Sequence, residues 1–196
     1  MSALEKEVTN YMITTDSASA EAIEASKRLV SIVNEGAVQD NLLHLIQTLG
    51  EYLINDDEFV RAKVSVLVDF YCERLSDKTC VHNLLDGLVA LTTFSKFTGK
   101  NAVFVSKRIV QNVQVQQFPQ GTRHLAFKVF ENLINRHANA LKSINNEFVY
   151  GFTQELDGEK DPRNLMSAFQ IMTSIVRNFD ISAHVEDIFE KTSKSV

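Results

Sequence analysis

The chain has 196 residues, enough for one domain or for a stretch of something longer, and only 7 of them are glycine and 2 proline. Average usage of these breakers is nearer ~12 %, so a β-sandwich or barrel, with turns every ~8–12 residues, is excluded. Hydrophobic residues at 44% and charged residues at 23% exclude wholesale disorder, and a net charge of −5 speaks against a surface built to neutralise phosphates.

Taken in chain order, the apolar residues fall at helical spacing. Two short helices, around Leu4 to Met12 and Glu21 to Asn34, open the chain, and Gly36 follows the second at a position suited to a left-handed C-cap. Leu42, Leu45, Ile46, Leu49 and Leu53 form the next stripe. A helix then starts near Glu58, another runs from Cys80 to Phe94, and a third begins near Asn101 with Ala102, Val105, Ile109 and Val113. Leu125, Val129 and Leu133 beside Ala126 and Phe130 follow, then Ile144, Phe148, Phe152 and Leu156. Leu165, Ala168, Phe169, Met172, Ile175, Val176 and Phe179 make the last long stripe, and Val185, Ile188 and Phe189 a short one after it. No segment alternates with period two over a useful length. The fold class is all-α.

Three helix-to-helix junctions resemble one another. Each places a short polar turn before an arginine that opens the next helix: N-D-D-E-F-V-R ending at Arg61, Q-Q-F-P-Q-G-T-R at Arg123 and D-G-E-K-D-P-R at Arg163. In the third, Asp161 can cap the helix and Pro162 can take its first position, where no N–H is missed. Arg123 to Arg163 spans 40 residues, inside the ~40–47 of HEAT and armadillo repeats. The expected architecture is an α-solenoid of HEAT-like hairpins, with residues 1–35 as a helical cap and 36–196 as repeats. Leu45 to Lys63 reads as one such hairpin. Arg61 to Arg123 is 62 residues and holds an odd number of helices, which suggests one helix lost near residues 63–64. The segment His184 to Lys191 ends the chain on half a hairpin, so the chain reads as an N-terminal piece of a longer solenoid.

Chemistry is sparse. Cys72, Cys80 and His82 do not have a zinc spacing, and His44, His82, His124, His137 and His184 are scattered. There is no nucleophile elbow and no glycine-rich phosphate loop, and Asp56, Asp57 and Glu58 read as turn caps, so no catalytic residue, cofactor or metal is expected. Two cysteines cannot make a disulfide framework, which points to a reducing compartment, cytosol or nucleus. No secretory signal or membrane-length apolar run is present. Lys96, Lys100, Lys107 and Arg108, followed by Arg123, His124, Arg136 and His137, form a modest basic series whose default is a solvated helix face. What such repeats offer is surface for other proteins. The candidate positions are His124, Lys128, Glu131, Asn132 and Asn135 on one helix, and Arg163, Asn164, Ser167, Gln170 and Ser174 on the next.

The run G-F-T-Q-E-L-D-G-E-K-D-P-R-N-L-M-S-A-F, Gly151 to Phe169, resembles the N-terminal domain of the MMS-nineteen nucleotide-excision-repair and transcription family. Weaker agreement follows along L-I-Q-T-L-G-E-Y-L, F-Y-C-E-R-L, L-L-D-G-L-V-A-L and V-Q-x-x-P-Q-x-x-R-H. The resemblance implies a non-catalytic HEAT-repeat adaptor of cytosolic iron–sulfur assembly. Its partners would be assembly factors and client apoproteins of DNA repair, replication and transcription, in nucleus and cytoplasm, without direct nucleic-acid or membrane binding. It also implies a further helix between the L-x-N-D-x-x-V-R turn and the F-Y-x-x-R-L helix, where Ala62–Lys63 here runs into Val64. The alternative is a nucleic-acid- or chromatin-associated helical repeat, using the basic positions from Lys96 to Arg136.

Overall fold

A computed structural model describes residues 2–14, 19–54 and 58–194, without the side chains of 54, 58–62 and 194. Among the described residues the chain forms α1 (Ala3–Met12), α2 (Ala20–Asn34), α3 (Val38–Ile54), α4 (Glu58–Glu73), α5 (Val81–Leu91), α6 (Gly99–Asn112), α7 (Gln120–Leu141), α8 (Asn145–Leu156), α9 (Pro162–Asn178) and α10 (Val185–Lys194), and no strand. The caps explain several of these bounds. Ser2 accepts from the Glu5 N–H at 3.1 Å while Glu5 accepts from the Ser2 N–H at 2.7 Å, a reciprocal box that satisfies two orphan donors of α1. Thr98 and Asn101 do the same for α6. Gly36 and Gly158 stand at φ +69° and +88°, a left-handed backbone that glycine enters without a Cβ clash.

The helices alternate between two rows. α3, α5, α7 and α9 stack in one; α4, α6, α8 and α10 stack in the other, and α1 and α2 pack on each other and against α3. The apolar stripes meet between the rows. Toward the C-terminal end the filling is aromatic: Phe130 stands edge-on to Phe152 at 5.4 Å and to Phe148 at 6.2 Å, and Phe148 stacks on Phe179 at 5.3 Å. Each pair adds about 0.5–1.5 kcal/mol beyond the area it buries. α7 kinks at His137, which leaves helical geometry at φ −134° and lies against Phe97.

Strict alternation gives the odd helix count a spatial meaning. The helices opened by Arg123 and Arg163, α7 and α9, share a row, whereas the helix carrying Arg61, α4, lies in the row of α6. The sequence reading makes α4 the second helix of a hairpin with α3; the structure seats it among the first helices instead. Residues 63 and 64 lie inside α4, which runs unbroken, and Lys63 is buried with its ammonium donating to the Thr14 carbonyl and resting 4.9 Å from the Tyr11 ring centre. Asp56 and Asp57, and the side chains of Glu58 and Arg61, lie outside the described residues.

One close approach between the rows is where α5 meets α4. Gly87 is buried, and a Cβ there would overlap the ring of Tyr71, whose hydroxyl donates to the Ile46 carbonyl at 3.4 Å. In an open helix interior Gly→Ala would gain about 1 kcal/mol of propensity. Here the steric term wins: Gly87→Ala is expected to destabilise the chain by about 1–3 kcal/mol, read from urea unfolding.

Candidate partner-binding surface

Polar pins, rather than apolar packing alone, fix the register of the α5–α7–α9 row. Asn132 on α7 donates to the Thr92 hydroxyl at 2.9 Å and to the Val89 carbonyl at 3.3 Å, fastening α7 to the end of α5. His82 on α5 meets the Thr122 hydroxyl at 3.0 Å. Gln120 and Asn164 exchange hydrogen bonds between the starts of α7 and α9, each at 3.4 Å.

The strongest pin is Glu159, in the turn before α9. Its side chain is wholly buried and collects five donors. Arg123 clamps it bidentately through Nε and Nη2, both at 2.8 Å; Asn164 donates at 3.1 Å; and the Lys160 and Asp161 N–H groups donate at 2.9 Å each. Burial alone pushes the carboxyl upward, but the Arg123 guanidinium and the Asp161, Asn164 and Lys160 donors outweigh it and hold the group below the usual carboxylate range. Beside it Asp161 caps α9, accepting from the Arg163 N–H at 3.0 Å, and Pro162 opens the helix as expected. The sequence reading reaches the cap and the proline but not Glu159. The available signal was an acidic residue just ahead of Asp-Pro, with an arginine at the equivalent junction one repeat earlier.

This framework sorts the candidate residues. His124, Lys128 and Asn135 on α7 and Arg163 and Gln170 on α9 are exposed; Glu131, Ser167 and Ser174 are half-buried. The spacing 124, 128, 131, 135 repeats as 163, 167, 170, 174, so each set lies along one side of its own helix, and the two helices are neighbours in the row. Lys128 pairs with Glu131 at 2.8 Å and Arg163 approaches Asp161 at 3.4 Å, both in the open. Asn164 does not belong to this surface, because it is fully buried in the Glu159 network. Asn132 is half-buried and its amide is directed into α5. Both read as polar surface positions in the sequence because a donor aimed at a neighbouring helix has the same pattern as one aimed at water.

Burial pushes the Cys72 thiol up to about 12, far from the range of a reactive thiolate, and Cys80 is buried as well. Among the described residues no histidine, cysteine and carboxylate cluster is arranged to hold a metal ion, and no helix is long and apolar enough to cross a membrane. The basic series is dispersed: Arg123 is clamped on Glu159, Lys107 pairs with Glu147 at 2.8 Å and Arg108 lies over the Phe104 ring.

Alternating rows, inter-row apolar packing and recurrent polar pins define a helical-repeat protein of the solenoid class. Residues 29–194 match the family model described as "Dos2-interacting transcription regulator of RNA-Pol-II", the MMS19 N-terminal family, and the chain belongs to that family. It is 36% identical over 174 residues to the MMS19 nucleotide excision repair protein homolog of Xenopus tropicalis, covering 78% of this chain and 17% of that protein. It is 38% identical over 151 residues to the human homolog, covering 76% and 15%. The match to the DNA repair/transcription protein mms19 of Schizosaccharomyces pombe is 29% over 206 residues, covering 93% and 20%. The chain spans a fifth or less of the length of these relatives.

Proposed function

We propose that the chain is a non-catalytic interaction scaffold in nucleotide-excision repair and transcription, the processes its relatives are named for. More finely, it is the N-terminal segment of an adaptor that targets iron–sulfur clusters to apoproteins of DNA repair, replication and transcription, in nucleus and cytoplasm. The observation that supports a scaffold is that α7 and α9, which carry the exposed positions His124, Lys128, Asn135, Arg163 and Gln170, are neighbours fastened to each other by the Arg123–Glu159 clamp. A surface pre-set by buried pins loses little entropy on binding, and an adaptor acts by raising the effective concentration of the proteins it holds. The odd helix count between Arg61 and Arg123 fits a chain one helix shorter than an evenly paired array, with residues 1–35 capping it.

The test is affinity capture from cell extract with the chain as bait, beside a variant carrying Lys128→Glu, Arg163→Glu and Gln170→Ala. These exposed sites lie outside the pins, so the variant should unfold at the same temperature as the parent. The expected result is recovery of assembly factors or iron–sulfur proteins of DNA metabolism by the parent, falling at least about tenfold in the variant, a loss of about 1.4 kcal/mol. Recovery of transport receptors and their cargo alone, or equal recovery by both baits, would overturn the reading. The nucleic-acid alternative gains nothing from the structure, since two of its basic groups already face carboxylates.

A further inference from the structure

Charge is unevenly spread along the chain. Between Asp86 and Glu147 stand eight lysines and arginines and a single carboxylate, Glu131, so this stretch carries +7 in a chain whose total is −5. Half of those cations are engaged within the fold: Arg123 by Glu159, Lys107 by Glu147, Lys128 by Glu131 and Arg108 by the face of Phe104. The other four, Lys96, Lys100, Arg136 and Lys142, are exposed, and none is paired with a carboxylate among the described residues. The fold gathers these four at one edge. The start of α6 lies against the end of α7, where a Cβ on Gly99 would overlap that of Ala140 and the Phe97 ring centre stands 5.5 Å from that of His137. Lys96 and Lys100 therefore flank the same contact as Arg136 and Lys142.

Helix electrostatics does not account for the cluster. Lys142, at the C-cap of α7, suits the negative end of that helix, but Lys100 sits in the first turn of α6, where the macrodipole is positive and a carboxylate is the favoured residue. The surroundings narrow the partner's chemistry. No large apolar side chain between residues 67 and 149 is exposed, so the edge offers neither an anchor for a bilayer nor an aromatic platform for unstacked bases. A duplex, with one negative charge per ~1.7 Å of its axis, would run past four cations onto a molecule that is otherwise −12. A short run of carboxylates matches both the size of the cluster and its lack of apolar contacts. We infer that the edge formed by Lys96, Lys100, Arg136 and Lys142 docks an acidic segment of a partner protein through charge-assisted hydrogen bonds. The edge shares no residue with the capture variant above and does not depend on an iron–sulfur role.

The probe is a fluorescein-labelled twelve-residue peptide of alternating glutamate and serine, beside a twin with glutamine in place of glutamate. Fluorescence anisotropy against the 196-residue chain at low salt should show saturable binding of the acidic peptide and at least about tenfold weaker binding of the twin. Lys100→Glu with Arg136→Glu should weaken the acidic peptide at least about tenfold. Lys6→Glu with Lys27→Glu changes the net charge equally at exposed lysines of α1 and α2, and should leave the affinity within about twofold. All four side chains are exposed, so both variants should melt with the parent. If the edge variant melts lower, Lys100→Gln with Arg136→Gln is read in its place and should weaken binding at least about threefold. Equal losses in the two charge-reversed variants would reduce the effect to net charge and overturn the assignment. So would equal binding of the two peptides, or no binding of either. Tighter binding of a twelve-nucleotide thymidine strand than of the acidic peptide, lost in the edge variant, would overturn the choice of partner in favour of nucleic acid.

Discussion

Replacing Glu159 with alanine is expected to cost about 3–5 kcal/mol of stability, as much as truncating a buried phenylalanine. The loss is more than an ion pair. Removing the carboxylate leaves the Arg123 guanidinium, only 19% exposed, with the Phe118 carbonyl in place of an anion, and also leaves the Asn164 amide and the Lys160 and Asp161 N–H groups without the acceptor they share. Arg123→Met is expected to cost less, about 2–3 kcal/mol, because the carboxylate keeps three of its five donors. The ordering is the diagnostic. If urea unfolding shows Arg123→Met to be the more damaging change, the turn's own donors are not what Glu159 serves. A double substitution, Arg123→Met with Glu159→Leu, should recover only part of the loss, since apolar replacement repairs a buried ion pair but not backbone N–H groups left unsatisfied.

The clamp also has a pH signature. Glu159 has a folded pKa below its unfolded value, so its contribution is fully present above the unfolded carboxylate range and is lost as pH falls through the folded value. Acid unfolding of the parent should therefore be steeper below about pH 4.5 than that of Glu159→Ala, which lacks the group whose protonation breaks the network.

Local rules carry the sequence a long way here and then stop at a definable point. The helices follow from apolar stripes of period 3.6, and the start of α9 from Asp161 and Pro162, because a cap is satisfied within three residues of itself. The left-handed residue after α2 is legible in Gly36 for the same reason. Arg123 is different. The sequence marks it as the residue that opens a helix, while its partner lies 36 positions away and is reached only because α9 stacks beside α7. Asn132 and Asn164 fail as surface predictions in the same way, since their acceptors belong to neighbouring helices. The row of α4 was also beyond reach: the turn before it resembles the turns before α7 and α9, yet an odd number of helices between them flips the side on which it packs. The exposure of His124, Lys128, Asn135, Arg163 and Gln170 follows from their places off the apolar stripes of α7 and α9.

Glu155 lies four residues before Glu159, in the last turn of α8, and shows what donors decide. Both carboxylates are buried, at 8% and 1% exposure, yet their pKa values move in opposite directions. Glu155 accepts from the Val115 N–H at 3.0 Å, and that bond does not offset its desolvation, so burial raises its pKa from 4.5 to about 7. A raised carboxyl contributes in the sense opposite to Glu159. Between pH 4.5 and about 7 the folded chain holds a proton that the unfolded chain has released, so stability falls as pH rises through this window and levels off above it. Glu155→Gln keeps an acceptor for the Val115 N–H and removes the charge that burial penalises. It is expected to leave stability near the parent's at pH 4.5 and to exceed it by on the order of 2–3 kcal/mol at pH 8.5. Urea titrations at both values check this. A variant equally stable with the parent at pH 8.5 would mean that Glu155 is charged at little cost in the folded chain, and that the 3-10 turn Val115–Gln117 does not seal it from water.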